Sequence, residues 1–183
     1  IVTAQEVLWG LTGGPNELSV LWSRDGKLLR VLEHGRGING ACAFHPQGDV
    51  VAIGSWLRYA EVRSVGTGEV LAKFDHPNSV WDLDFHPNGR WLLTACVDGT
   101  ARLWSLETTN LVYPPVNHGP NGLYCAQFSP DGSRFATGGG DGTIRLWETR
   151  TGKPTGRTFL HKGRVNDLAF KPDGEWLISG GAD

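Results

Sequence analysis

The chain has 183 residues, of which 39% are hydrophobic, and this is enough for one domain with its own core. Its formal net charge of −2 provides no general attraction to nucleic acid or to anionic lipid. No apolar run approaches the roughly 20 residues of a membrane-spanning helix. We therefore expect neither nucleic acid nor a membrane as a partner. Because the chain begins at Ile1 and contains no Met, we expect it to be a segment of a longer protein.

Three cysteines, Cys42, Cys96 and Cys125, lie within apolar runs and lack the paired spacing of metal ligands. We expect them to be buried reduced thiols, and we predict no metal and no cofactor. The sequence also lacks an Asn-x-Ser/Thr glycosylation site. These features together favour a cytoplasmic protein.

Similar sequence recurs along the chain, and three landmarks define its period. A histidine stands at positions 34, 76, 118 and 161, and a Phe-x-Pro turn begins at positions 44, 85, 128 and 170. Trp22, Trp104 and Trp147 close three of the units, and Arg63 stands where another Trp is expected. Self-similarity at a fixed period of about 42 residues indicates a repeat architecture.

In chain order, residues 1–33 are the rear part of a unit, with short runs near 7–12, 18–22 and 27–32. Complete units follow at 34–75, 76–117 and 118–160, and residues 161–183 are the front half of another. Each unit contains short apolar or alternating runs separated by turns rich in Gly, Asp and Pro. Four short antiparallel strands per unit predict the blade of a β-propeller. We therefore predict an all-β fold with three complete blades and two partial ones.

The motifs resemble those of the WD-repeat β-propeller family. The chain carries FSPDG at 128–132, DGT at 98–100 and 141–143, and RLW at 102–104 and 145–147. The Asp that follows the Trp in the family is replaced by Ser23, Ser105 and Glu148. The resemblance extends over nearly the whole chain and is closest to bacterial-type arrays.

The resemblance implies a hydrogen-bonded chain inside each blade, formed by a His, a Ser or Thr, an Asp and the Trp indole. By position, its members are His76, Thr94, Asp98 and Trp104 in one blade, His118, Thr137, Asp141 and Trp147 in the next, and His161, Ser179 and Asp183 in the last fragment. The first fragment retains Thr12, Asn16 and Trp22. A group that recurs in every blade is a scaffold feature, whereas a nucleophile needs an exposed oxygen and an oxyanion site. We therefore predict no catalytic residue and no enzyme activity.

The unit 34–75 departs from this pattern. Ile53 replaces the Ser or Thr, Leu57 replaces the Asp and Arg63 replaces the Trp, so His34 lacks these partners. Either the polar chain has been replaced by apolar packing, or Trp56, Arg58 and Tyr59 form a specialised surface. The sequence leaves both interpretations open.

In the family, partners usually dock on the rim formed by the loop into each first strand and the turn after each second strand. The positions that match this rim are Trp56, Trp81, Asp82, Tyr124, Asn166 and Asp167. Exposed Trp and Tyr are favoured anchors of interfaces, although Trp81 and Tyr124 are equally compatible with packing between blades. Flanking carboxylates suit a partner segment with apolar side chains and at least one Lys or Arg.

The function implied by the resemblance is a non-catalytic scaffold that binds protein or peptide partners on one rim. An alternative is an accessory regulatory propeller of a multidomain kinase or NTPase whose catalytic domain lies outside this segment. Incomplete blades at both ends also predict edge-to-edge self-association, because unpaired strand edges pair with other chains.

Overall fold

The computed structural model describes residues 18–33 and 39–183, and all regular elements in these ranges are β-strands. No helix long and apolar enough to cross a bilayer occurs among them. The predicted positions Thr12, Asn16 and His34 lie outside the described residues. The strands are β1 Leu18–Trp22, β2 Leu28–Glu33, β3 Asn39–Phe44, β4 Val50–Ser55, β5 Tyr59–Ser64, β6 Val70–Asp75, β7 Val80–Phe85, β8 Trp91–Cys96, β9 Thr100–Ser105, β10 Val116–Asn117, β11 Leu123–Phe128, β12 Arg134–Gly139, β13 Thr143–Glu148, β14 Pro154–Leu160, β15 Val165–Phe170 and β16 Leu177–Gly181.

The strands form antiparallel sheets in which neighbours in sequence are neighbours in space. Three sheets have four strands each, in the orders β3-β4-β5-β6, β7-β8-β9-β10 and β11-β12-β13-β14. The hairpins β1-β2 and β15-β16 form two-stranded sheets. We call the three complete sheets blades 1, 2 and 3 in chain order, and the hairpin β15-β16 the last hairpin. The prediction of four-stranded antiparallel blades, three complete and two partial, is confirmed.

The core lies between successive blades, which pack through apolar residues on their facing surfaces. Between blades 1 and 2, Ala52 and Phe74 pack against Leu83 and Leu92, all of which are buried. The contact between blades 2 and 3 is equivalent, and Leu93, Leu103, Leu123 and Phe128 share one buried cluster. Burial of apolar surface between sheets is therefore the main force that orders the blades side by side.

Histidines in the Phe-His-Pro turns also connect successive blades. His45 Nε2 donates to Gly89 O at 2.8 Å, and His86 Nε2 donates to Gly132 O at 3.0 Å. In the same rings, Nδ1 accepts a backbone N–H, from Gln47 in the first case. Both histidines are buried. They therefore contribute to the joints between blades, at the end opposite the candidate rim.

Candidate protein-binding rim

A β-bulge positions the candidate rim residue in each first strand. In β7, Val80 pairs with Cys96 and Asp82 pairs with Ala95, so Trp81 has no partner in the ladder. Register shifts at the same place in β11 and β15 leave Tyr124 and Asn166 in the equivalent position. A bulge bends the strand and redirects the side chain of the extra residue. The repeated bulges therefore explain how residues inside regular strands reach the rim.

The aromatic side chains of three blades form a continuous strip on this rim. The ring centroids of Trp56 and Trp81 are 4.9 Å apart with an interplanar angle of 38°. Those of Trp81 and Tyr124 are 5.3 Å apart at 67°. Such centroid distances and tilted arrangements are favourable for aromatic pairs. We call Trp56, Trp81 and Tyr124 the aromatic strip.

The aromatic strip is packed against itself but remains accessible to a partner. Trp56 is 36% exposed, and Trp81 and Tyr124 are only partly buried. The two alternatives raised by the sequence, packing between blades and surface exposure, therefore both describe these residues. The strip continues into the last hairpin, where the Arg164 guanidinium lies 4.7 Å above the Tyr124 ring. This is cation–π geometry.

The turn that carries Trp56 has an unusual backbone. Arg58 has a φ of 69°, whereas Gly99 and Gly142 occupy the equivalent turn positions of blades 2 and 3 with φ of 84° and 76°. A non-glycine residue is disfavoured in this left-handed region because its Cβ crowds the backbone. Leu57, next to it, is 45% exposed. The turn of blade 1 therefore presents Arg58 where blades 2 and 3 have glycine, and Leu57 where they have aspartate.

The carboxylate of Asp82 is directed between blades. Its Oδ2 accepts the Ala126 N–H at 2.8 Å, and its Oδ1 accepts the N–H of Leu83 at 2.9 Å. Two residues further along β7, Asp84 Oδ2 accepts the Phe128 N–H at 2.9 Å. Burial raises the pKa of Asp82 to about 7 and that of Asp84 to about 6, although the N–H donors act in the opposite direction. Asp82 is therefore a joint between blades 2 and 3 and not a free anion beside the strip.

The other two predicted rim residues lie on the last hairpin and are exposed. Asn166 Oδ1 accepts the Arg164 Nε–H at 2.7 Å, which holds the arginine over the aromatic strip. Asp167 Oδ1 accepts the N–H of Leu168 at 2.8 Å. Asn166 therefore acts on the strip through Arg164, whereas Asp167 provides an exposed carboxylate next to it.

The hydrogen-bonded chain of blade 3 contains all four residues that the resemblance suggests. Trp147 Nε1 donates to Thr137 Oγ1 at 2.8 Å, and His118 Nδ1 lies 2.7 Å from the same hydroxyl. His118 Nε2 is 3.3 Å from Asp141 Oδ1, so that nitrogen donates and Nδ1 accepts the threonine proton. Burial lowers the pKa of His118, although Asp141 opposes the shift, and the ring is neutral at pH 7. In the last hairpin, His161 also contacts the Asp and the Ser of its unit, but through the opposite ring nitrogens: Nδ1 lies 2.8 Å from Asp183 Oδ1, and Nε2 lies 2.7 Å from Ser179 Oγ.

In blade 2 the hydrogen-bonded chain contains three of the four residues that the resemblance suggests. Trp104 Nε1 donates to Thr94 Oγ1 at 3.1 Å, and His76 Nε2 lies 2.8 Å from that hydroxyl. His76 Nδ1 donates to the carbonyl oxygen of Phe74 at 2.9 Å and does not reach Asp98. Asp98 is therefore not a member of the hydrogen-bonded chain of blade 2, although the resemblance suggests that it is.

His76 does not bind Asp98 because Arg102, four residues after Asp98, competes for its carboxylate. Arg102 Nη2 lies 2.7 Å from Asp98 Oδ2, and Thr100 Oγ1 donates to Oδ1 at 2.7 Å. Burial opposes the charge of Asp98, but the Arg102 and Thr100 hydrogen bonds outweigh it and lower its pKa to about 2. Burial also lowers the pKa of His76 to about 4, so its ring is neutral at pH 7.

Blade 1 replaces the polar chain by an ion pair that the sequence analysis missed. Arg63, which stands in the Trp position, donates from Nε to Glu61 Oε1 at 2.8 Å, and its Nη2 lies 2.8 Å from the same oxygen. Glu61 is only 5% exposed. The signal that can reveal the pair is the i, i+2 spacing, since alternate residues of a strand share one face. Ile53 is buried and contributes apolar packing alone.

Neither a nucleophile nor a metal site emerges from the parts of the chain that the structure describes. Thr94 and Thr137 have no exposed surface. Among those residues, no group of three or more His, Cys, Asp or Glu side chains can hold a metal ion. The three cysteines are free thiols, and burial raises the pKa of each.

Repeated four-stranded blades, two of which share a His-Thr-Trp core, define a repeat propeller of the WD class. The family model for the WD domain, G-beta repeat, matches residues 68–105, 112–148 and 152–183. These matches cover more than half of the chain, and the protein therefore belongs to the WD-repeat family. Proteins of this family generally act as scaffolds for interactions between proteins.

Among curated proteins, similarity is confined to short parts of long chains. The chain is 34% identical over 88 residues to the U3 small nucleolar RNA-associated protein 21 homolog of Schizosaccharomyces pombe, covering 48% of this chain and 10% of that protein. It is 37% identical over 86 residues to pre-rRNA-processing protein IPI3 of Mycosarcoma maydis, covering 46% and 14%. It is 34% identical over 82 residues to pre-mRNA-processing factor 19 homolog 2 of Arabidopsis thaliana, covering 44% and 15%.

The names of these relatives overturn one expectation. They refer to small nucleolar RNA, pre-rRNA processing and pre-mRNA processing, which are terms of the nucleus. The prediction of a cytoplasmic protein is therefore wrong, because it rested on the lack of glycosylation sites and on cysteine chemistry. Neither feature distinguishes the cytoplasm from the nucleus.

Proposed function

We propose that this chain is a non-catalytic scaffold that binds a protein or peptide partner on the aromatic strip. The units 34–75, 76–117 and 118–160 are its structural repeats in this proposal, and each contributes one ring to the strip. The observation that carries the proposal is the contact of Trp56, Trp81 and Tyr124 at the surface, although they belong to three different blades.

Energetic considerations favour a partner at this position. Large aromatic residues supply contact area at a low cost in conformational entropy, and they are enriched among hot spots. The strip is rigid, because its rings contact each other and bulges fix two of them in the backbone. A rigid surface loses little freedom on binding, and more of the contact energy then appears as affinity.

The relatives support a role in a larger assembly. Their names associate them with RNA processing, and we propose that this chain contributes protein contacts to a comparable nuclear assembly. The alternative, an accessory propeller of a kinase or NTPase, has no specific observation in its favour.

Affinity capture from an extract, followed by identification of the bound proteins, tests the proposal. Trp81→Ala and Tyr124→Ala should each weaken capture, with a loss of at least about 2 kcal/mol if the residue is a hot spot. Arg90→Ala is the matched control, since Arg90 is exposed on the turn between β7 and β8, at the opposite end of blade 2. Thermal unfolding of each variant separates a binding defect from a folding defect. Loss of capture in Arg90→Ala with unchanged capture in both aromatic variants would place the binding face at the opposite end.

A further inference from the structure

The carboxylates around the aromatic strip are mostly engaged with groups of the chain itself. Asp82 accepts the backbone N–H of Ala126 in the neighbouring blade. Asp98 pairs with Arg102 at 2.7 Å, and Asp141 binds His118. Asp167 remains without a cationic partner in the described part of the chain. Of these four carboxylates, Asp167 is therefore the one that offers its negative charge to a partner.

The cations at the rim are available. The exposed side chains of Arg58 and Lys162 form no ion pair or hydrogen bond with any residue that the structure describes. Arg164 is exposed as well, and it binds only the neutral Asn166 and the Tyr124 ring. Arg58 follows Trp56 at one end of the strip, and Arg164 lies over Tyr124 at the other end. One arginine thus stands two residues after Trp56 in the same turn, and another lies over Tyr124.

The backbone of Arg58 is a second and independent observation. Its φ of 69° places an arginine where the equivalent turns of blades 2 and 3 have Gly99 and Gly142. Strained positions of this kind concentrate at functional sites, where the side chain is needed in spite of its backbone. Glycine fits this conformation better.

We propose that the partner of the aromatic strip is an extended acidic peptide segment. Its apolar side chains lie on Trp81, and carboxylates on either side pair with the Arg58 and Arg164 guanidinium groups. From Trp56 to Arg164 the strip measures at most about 15 Å, the length of four to five extended residues. This inference rests on the proposed function and specifies its partner. It replaces the basic partner segment that the positions of Asp82 and Asp167 in the sequence suggest.

Single-stranded RNA is the other anionic polymer that aromatic and arginine side chains bind. The strip is less suited to it, because ring centroids 4.9 Å and 5.3 Å apart leave no space for a base between the rings. The chain also has a net charge of −2, whereas RNA-binding surfaces are strongly basic. An acidic peptide therefore fits the observations better.

Selection from a phage-displayed library of random nine-residue peptides on the full chain tests the proposal. The selected peptides should carry net negative charge beside apolar residues. Double reversal by Arg58→Glu and Arg164→Glu should weaken their binding about tenfold, which is the size expected for two partly exposed ion pairs. Arg90→Glu, at the opposite end of blade 2, should leave their affinity unchanged. Neutral or basic peptides, or no selected peptides, would overturn the proposal.

Arg58→Gly separates binding from stability. It removes the cation and relieves the left-handed backbone, so binding of the selected peptides should weaken while the unfolding temperature stays the same or rises. Arg58→Lys should retain most of the binding. A single-stranded oligouridylate that binds more tightly than the selected peptides, in a manner dependent on Arg58 and Arg164, would also overturn the proposal.

The outcomes distinguish this inference from the proposed function on which it rests. If basic peptides are selected and Trp81→Ala abolishes their binding, the aromatic strip is the site and only the charge of its partner is wrong. If Trp81→Ala has no effect on any selected peptide, the proposed function itself fails.

Discussion

Replacement of Thr137 by Val tests the hydrogen-bonded chain of blade 3 without changing the shape of the core. The Thr137 hydroxyl accepts the Trp147 Nε1–H at 2.8 Å and donates to His118 Nδ1 at 2.7 Å. Valine has nearly the same volume, so no cavity forms. The variant leaves one buried donor and one buried acceptor without a partner.

The expected loss follows from those two groups. A buried polar group without a partner costs about 1–3 kcal/mol, and Trp147 and His118 are 5% and 0% exposed. Because His118 retains Asp141 through its other nitrogen, we expect a total loss of about 2–4 kcal/mol. For a chain of this length, that is a decrease in melting temperature of about 5–12 °C.

Thermal unfolding followed by circular dichroism measures the effect, and Ile53→Val is the matched control. Ile53 occupies the same register position in blade 1 and has no hydroxyl. Its loss of one methylene group should cost about 0.5–1.5 kcal/mol. If Thr137→Val melts with the wild type, or no earlier than Ile53→Val, the hydroxyl does not stabilise the blade and the reasoning is refuted.

Three further predictions concern the joints and edges of the blades. Because burial raises the pKa of Asp82 to about 7, the folded chain retains a proton that the unfolded chain releases near pH 4, and this residue's contribution to stability falls as the pH rises from about 4 to about 7. Asp82→Asn keeps an acceptor for the Ala126 N–H, so urea unfolding should show the variant gaining stability relative to wild type over that range; a constant difference would contradict the raised pKa. Gly132→Ala places a Cβ 2.4 Å from the His86 ring and should lower the melting temperature further than Gly156→Ala, which has a similar positive φ and open space around it; equal losses would mean that the contact with His86 contributes nothing. The 183-residue chain should associate through the unpaired edge of β16, and light scattering that reports a single 19.9 kDa species at high concentration would count against this.

The repeat is visible in the sequence because it depends on local patterns. Alternating apolar residues and Gly-rich turns specify strands of about six residues, and the described strands have five to seven residues except β10, which has two. The partners of Thr94 and Thr137 also follow from position, since blades 2 and 3 each place a His and a Trp around the second strand. Local pattern was therefore sufficient for the fold and for most of each polar chain.

Contacts between blades were less predictable. Asp82 and Ala126 are 44 residues apart, and so are His45 and Gly89. A pattern within one repeat shows which face a side chain shares but not which atom of the next blade it reaches. For this reason, the sequence suggested that Asp82 faces a partner, whereas the structure directs its carboxylate to a backbone N–H.

Two further differences arise from competition between neighbouring side chains. Asp98 and Asp141 share the same motif, yet Asp98 lies 2.7 Å from Arg102 whereas Asp141 lies 3.5 Å from Arg145. Asp98 pairs with the closer Arg102 and does not bind His76, whereas Asp141 binds His118. Arg63 similarly recruits Glu61 into a buried pair that motif matching alone does not reveal.

Hydrogen exchange of the chain, alone and with its captured partner, locates the surface on which the partner binds. Binding on the aromatic strip predicts slower amide exchange in the segments 77–82 and 119–124, which lead into the first strands of blades 2 and 3, and unchanged exchange in the turn 86–90 at the opposite end. Protection confined to the turn 86–90, with the two leading segments unaffected, would contradict the account.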